Sequence, residues 1–252
     1  MFQLQQKGRR LVLTLDRPPV NAINDEWLTQ FHRILTDLEQ SSEFAVLHIR
    51  SAQKIFCAGM DVAHIQALAA RPDGADAMVA DVTEFQRAFA RIEAMPQVVL
   101  AEIGGAALGG GLELALACDL RIAARHAKIG LPEARLGLIP GAGGTQRLTR
   151  LCGRGIASRL ILSAEVLDGA AAERLGVVQW SFDKEELPAS AEAIATRIAD
   201  LSPESGREAK RLIAAALDPT RDGYAEEREA DRRLFGSPDT QSRIGQFLAG
   251  AR

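Results

Sequence analysis

Cysteine is scarce and scattered in this chain. Cys57, Cys118 and Cys152 are the only three in 252 residues, and no two form a C-x-x-C pair. An odd number without a pattern excludes a disulfide framework or a cysteine zinc site. They read instead as buried free thiols. Long apolar runs are missing too. No window approaches the roughly 18 uncharged apolar residues of a membrane-crossing helix. The N-terminal stretch "MFQLQQKGRRLVLTLDRPP" has no apolar signal core, so a cytoplasmic protein is expected. Basic charge is not in excess: 30 Lys and Arg face 33 Asp and Glu, for a net charge of −3. That balance leaves no electrostatic footprint for nucleic acid. The histidines (His32, His48, His64, His126) show no H-x-x-x-H spacing, and no metal site is expected.

What is present is an ordinary globular composition, 47% hydrophobic and 25% charged, in a chain long enough for a sizeable core. Its first half mixes strands and helices. "RLVLTLD" (10–16), "FAVLHIR" (44–50) and "QVVLAEI" (97–103) read as strands. Asn24 is placed to cap a helix whose apolar positions Trp27, Phe31, Ile34, Leu35 and Leu38 share one face. "ARPDGAD" (70–76) reads as a flexible insert. In the second half, "TQRLTRLCG" (145–153) and "AAAERLG" (170–176) each end on a helix-stopping glycine. Ser202-Pro203-Glu204 combines a cap, a first-turn proline and a dipole-matched acid. Helices are predicted over 188–200, 203–216, 221–235 and 239–249. The architecture is α/β with a helical C-terminal portion. Strand–helix alternation alone also permits a doubly wound sheet.

Glycine clusters invite a nucleotide reading, which fails. "GAALGGGL" lacks the Lys-Ser/Thr ending of a P-loop, and neither "GGGLEL" nor "GAGGTQ" supplies G-x-G-x-x-G. There is no G-x-S-x-G. The instructive stretch is "AALGGGLELALAC" (106–118), where Glu113 is the single charged side chain. Burying an unpaired carboxylate is costly, and no partner lies nearby in sequence. Gly109, Gly110 and Gly111 let a ligand lie against the backbone, at a helix start whose first N–H groups are free. Glu133 in "KIGLPEARLGLIPGAGG" repeats the pattern of an acid among apolar residues and glycines, and "IFCAGMDV" (55–62) adds a third small-residue turn. Free backbone donors beside two acids suit a reaction that builds negative charge on a carbonyl oxygen while protons move nearby.

Taken together, "DRPPVNAIN" (16–24), "FCAGMDV", "ALGGGLELALACDLRIA", "IGLPEARLGLIPGAGGTQRL" and "DGAAAERLGVV" (168–178) resemble the enoyl-CoA hydratase/isomerase (crotonase) superfamily. The resemblance spans nearly the whole chain. It implies a crotonase-type ββα spiral over 1–187 and, in the same domain, a helical trimerisation region over 188–252. The implied partners are an acyl-CoA thioester substrate and further copies of the chain, as a homotrimer or a dimer of trimers. No cofactor is implied, because CoA is part of the substrate. The oxyanion hole falls on the backbone amides of Met60 and Gly110, and the two hydratase acids fall on Glu113 and Glu133. CoA is expected along Val20, Asn21 and Ala22 and along Ala58, Gly59, Asp61 and Val62, with Gly109 beside it.

Other superfamily members, isomerases among them, keep only the acid matching Glu133, so the pair implies hydration of a trans-2-enoyl thioester. Isomerisation, or hydration of a dienoyl or cyclic acyl group, is the alternative on the same scaffold. Two features depart from the family pattern. Gly250 stands where a C-terminal lysine reaches the nucleotide end of CoA, leaving Arg243 or Arg252 as substitutes. Met60 is bulkier than the usual residue and reshapes the acyl pocket. His64 is placed to face CoA or that pocket.

Overall fold

The computed structural model describes residues 1–250. The chain opens with an antiparallel hairpin, β1 (Phe2–Lys7) and β2 (Arg10–Leu15), turning at Gly8 with φ +59°. Helix α1 (Asp25–Glu39) crosses to β3 (Val46–Ser51), and α2 (Val62–Ala69) and α3 (Gly74–Ala94) cross to β4 (Val98–Ile103). The short strand β5 (Ala107–Leu108) and α4 (Gly110–Ala117) lead to β6 (Leu120–Ala124). Then come β7 (Ile129–Gly130), a 3₁₀ turn (Glu133–Leu136), α5 (Gly144–Leu162), β8 (Val166–Leu167) and α6 (Gly169–Arg174), before the chain rejoins the sheet as β9 (Trp180–Phe182). Helices α7 (Leu187–Ala199), α8 (Pro203–Ala215), α9 (Gly223–Phe235) and α10 (Pro238–Gly250) follow.

The main sheet runs β1-β2-β3-β4-β6-β9 and is parallel from β2 onward. Each new strand is added on the same side. The order never reverses, so the switch point that defines a doubly wound sheet does not arise. The chain climbs as a spiral instead. β2 is buried at every position, as expected of a strand covered on both faces. A second small sheet has the order β5-β7-β8, and its strand β5 lies between β4 and α4 along the chain.

The capped helix forms as predicted. Asn24 Oδ1 accepts the Trp27 amide at 3.0 Å, and Trp27, Phe31, Leu35 and Leu38 are buried while Ile34 is half-buried. Burying each such side chain stabilises the fold by about 1.5–3 kcal/mol. Ser202 caps α8 through the Ser205 amide at 3.3 Å. Gly153 breaks α5 with φ 79° and ψ 163°, but the helix resumes to Leu162 because Ala157 and Leu160 still face the core. Cys57 and Cys118 are buried free thiols, and Cys152 is half-buried.

One expectation is corrected. Residues 70–76 are not a separate insert: 70–73 form an exposed turn between α2 and α3, and 74–76 are already the first turn of α3, with Gly74 buried. A Cβ on Gly74 would lie 2.0 Å from the Leu68 carbonyl oxygen, so only glycine fits there. Helix α3 itself is not among the predicted elements. It opens on that glycine, and Asp73 before it makes no side-chain cap, so the usual start signal is missing. Helix α7 packs across β2, β3, β4, β6 and β9, which ties the C-terminal helical region into the core of the spiral.

Candidate active site

Helix α4 is buried from Gly111 to Ala117, with Glu113 in its first turn. The helix is set by close backbone packing: a Cβ on Gly111 would lie 2.1 Å from the Cys57 carbonyl oxygen. Glu113 is 3% exposed, and its partner lies far along the chain. The Gly144 amide donates to Glu113 Oε1 at 2.7 Å. Burial lifts the Glu113 pKa from the ordinary 4.5 to about 7. The Gly144 amide opposes that rise, and the neighbouring negative charge of Glu133 adds to it.

Glu133 begins the 3₁₀ turn, which Gly137 closes in the left-handed region at φ +71°. Burial raises its pKa as well. Its Oε2 is buried and has no hydrogen-bond partner among the described residues. Its Oε1 lies 3.3 Å from where Gly109 would carry a Cβ, so the carboxylate rests over bare backbone. Gly109 itself holds φ +53° at the entrance to α4.

The two predicted backbone donors are close neighbours. The Met60 nitrogen lies 3.5 Å from the position of a Cβ on Gly110, and the Gly110 nitrogen lies 2.7 Å from that of a Cβ on Gly59. Hydrogen bonds on either side of Met60 (Ile23 amide to Gly59 oxygen at 2.8 Å, Asp61 amide to Ile23 oxygen at 3.0 Å) fix this loop. The amides of Met60 and Gly110 make no hydrogen bond among the described residues. They remain free as donors.

Both acids line one cavity of about 670 Å³, together with Ala58, Met60, Val62, Gly109 and Gly110. Val20, Asn21 and Ala22 lie outside it. They run beside the 58–62 loop, with the Ala58 amide donating to the Val20 oxygen at 3.0 Å. Asn21 is fully buried with φ +49°, a conformation asparagine tolerates. Its side chain accepts the Arg17 amide at 2.8 Å and donates to Ser51 Oγ at 2.8 Å and to the Phe56 oxygen at 2.9 Å. That side chain braces the loop and is not presented to a ligand. Asp61 is occupied likewise, capping α2 through the Ala63 amide and pairing with Arg17 at 3.2 Å.

His64 does not line the cavity. Its Nε2 lies 2.6 Å from Asp81 Oδ2 and 3.8 Å from Asp25 Oδ1, bridging α2 to α3. Arg243 pairs with Asp239 in its own helix at 3.0 Å and donates to the Asp200 oxygen, also at 3.0 Å. Arg252 lies outside the described residues. Sequence reasoning missed much of the cavity's apolar lining, which includes Met78, Val79, Val82 and Phe85 of α3 together with Leu136, Leu138 and Ile139. The spacing of Met78, Val82, Phe85 and Phe89 is a helical stripe that could have revealed it. Gly144 carries no such signal, because it acts only through its backbone.

A spiral α/β fold of this kind defines the class, the crotonase superfamily. More narrowly, the chain belongs to the enoyl-CoA hydratase/isomerase family, whose model matches residues 7–248. It is 40% identical over 221 residues to a crotonyl-CoA hydratase of Syntrophomonas wolfei subsp. wolfei, covering 85% of this chain and 80% of that one. A short-chain-enoyl-CoA hydratase of Clostridium acetobutylicum is 33% identical over 248 residues, covering 97% and 93%. The solved enoyl-CoA hydratase of Bacillus anthracis matches with a TM-score of 0.92 at 31% identity, covering 99% of this chain and 96% of that one. Pseudomonas aeruginosa DspI matches with a TM-score of 0.91 at 35% identity, covering 99% and 94%. The chain is an enzyme of the hydro-lyase type. No helix among the described residues is long and apolar enough to cross a membrane.

Proposed function

We propose that this enzyme adds water to the double bond of a trans-2-enoyl-CoA thioester. One observation carries the reading: two carboxylates with burial-raised pKa values share a cavity with two unpartnered backbone amides. The thioester carbonyl oxygen accepts from the Met60 and Gly110 amides. As negative charge gathers on that oxygen, the amides stabilise it without having to reorganise. Each such donor is worth about 3–4 kcal/mol in the transition state.

Glu113 orients a water and takes its proton as the oxygen bonds to Cβ. The double-bond electrons move toward the carbonyl, giving an enolate. Glu133, protonated at the outset, delivers its proton to Cα, the enolate collapses, and a 3-hydroxyacyl-CoA leaves. The proton taken up by Glu113 passes to Glu133 through water to reset the pair. One water is consumed and no electrons are exchanged, so the reaction calls for no cofactor. The acids act as a coupled pair, and their proton affinities belong to the pair.

Assembly as a trimer or a pair of trimers fits the helical region. Ile213, Tyr224, Phe235 and Phe247 are 71%, 77%, 68% and 75% exposed there. Apolar side chains exposed in such number mark an interaction surface.

The names of two relatives make crotonyl-CoA the first substrate to test. Purified protein should remove its ultraviolet absorbance. Glu113→Gln and Glu133→Gln should each slow this by about a hundredfold or more while still binding CoA thioesters. Full activity in either variant would refute the two-acid mechanism. Appearance of conjugated absorbance from a 3-enoyl-CoA, with no hydration, would replace it with isomerisation.

A further inference from the structure

We infer that Arg147 is a positioning residue for the acid that handles water: its guanidinium clamps the turn 141–143, which delivers the Gly144 amide to Glu113. This rests on the hydratase reading above, in which Glu113 takes the proton from water. Arg147 does not line the cavity, so it acts through the turn and not on the substrate.

The clamp has two ends. Arg147 Nη1 donates to the Ala142 oxygen at 2.7 Å, and Nη2 pairs with Glu93 Oε2 of α3 at 2.6 Å. One planar fork thus ties the turn before α5 to a separate helix. The arginine side chain is 10% exposed, which holds the guanidinium in one place. Gly143 makes room for it. A Cβ there would lie 2.2 Å from Nη1 and 3.0 Å from Cζ, and its φ of +104° suits glycine. The residues on either side of Gly143 serve the acid. The Gly144 amide donates to Glu113 Oε1 at 2.7 Å, and the Ala142 amide also favours the charged form of Glu113.

A cation is a poor choice at this position for stability alone. Arg147 lies in the first turn of α5, where the positive end of the helix dipole disfavours positive charge. Its Nε is buried with no hydrogen-bond partner among the described residues, which is a further cost. What the charge supplies is a field at Glu113. Arg147 favours the ionised acid there, while burial and the charge of Glu133 disfavour it.

The test compares Arg147→Met and Arg147→Lys with the unaltered enzyme. The methionine keeps an apolar stem but loses the charge and both bonds. It should lower kcat for crotonyl-CoA by about tenfold or more, with butyryl-CoA affinity held within about twofold. It should also move the acid limb of kcat/KM to higher pH by about half a unit or more. A residue that only held the fold together would not move that limb. The lysine keeps the charge but has no fork to span both oxygens. It should leave the limb in place and lower kcat by about threefold or more. An unmoved limb in Arg147→Met overturns the inference. So does wild-type kcat in Arg147→Lys, which decides the matter if circular dichroism shows that the methionine variant does not fold. Infrared titration of the Glu113 carboxylate, taken as a difference against Glu113→Gln, keeps the two readings apart. If Arg147→Met raises the pKa of that group but the unaltered protein hydrates no 2-enoyl-CoA, the hydratase reading falls and the hold of Arg147 on Glu113 stands.

Discussion

The amide of Gly144, at the start of α5, donates to the carboxylate of Glu113 in the first turn of α4 at 2.7 Å. This bond sets where the buried acid points. A Cβ on Gly144 would lie 2.9 Å from Glu113 Oε1, 2.9 Å from Pro140 Cβ and 3.0 Å from Glu113 Cγ. Gly144→Ala therefore displaces the carboxylate while leaving its chemistry intact. A shift of this kind costs on the order of a hundredfold in kcat. Steady-state hydration rates, with circular dichroism to verify folding, check it; wild-type kcat would show that the carboxylate position does not matter.

The raised Glu113 pKa predicts a pH limb. As the base toward water, Glu113 must be ionised, and with its pKa at about 7 that fraction falls as the pH drops through neutrality. The expected kcat/KM declines on the acid side with an apparent pKa near that value, one belonging to the coupled acids. The residual rate of Glu113→Gln should lack this limb. A wild-type profile flat between about pH 5 and about pH 8 would contradict it.

The same shift makes a statement about stability. Glu113 is harder to ionise folded than unfolded, so the folded state holds more protons between pH 4.5 and about 7. Stability therefore falls as pH rises through that window and is level above it. Glu113→Gln removes the buried charge and should exceed wild type by about 3 kcal/mol at pH above this range, and by little below it. Urea denaturation at an acid and an alkaline pH reads the difference. Equal gaps at both would sink the prediction.

Gly59 holds φ +88°, and a Cβ there would sit 2.7 Å from the Gly110 nitrogen. Gly59→Ala strains its own backbone and covers a donor at once. The expected loss is about a hundredfold to a thousandfold in kcat, the range for removing one such donor. Dissociation of butyryl-CoA, measured alongside, should change far less. A variant that loses binding and retains kcat would rule out the oxyanion role.

What could be read in advance was what neighbouring residues state locally. Three glycines opening an apolar helix announced free amides, and Glu113 and Glu133 stood out against their uncharged surroundings. Asn24 and Ser202 marked helix starts by their own chemistry. The partnership of Glu113 with Gly144 was hidden because it joins distant stretches through a backbone group that any residue carries. Helix α3 was hidden by its uncapped, glycine-led start. The bracing role of the Asn21 side chain was hidden too, because its partners Ser51 and Phe56 lie far along the chain. The spiral order was open because a doubly wound sheet shows the same alternation of elements.

Helix α3 contributes a wall but no acid. The groups that make and break bonds sit on α4 and on the 3₁₀ turn, while the Met78–Phe85 stripe belongs to a separate stretch of chain. Substitution at Met78, Val79 or Val82 therefore changes this lining while Glu113 and Glu133 stay where they are, whereas Gly74 admits only glycine and Phe85 packs against Gly110.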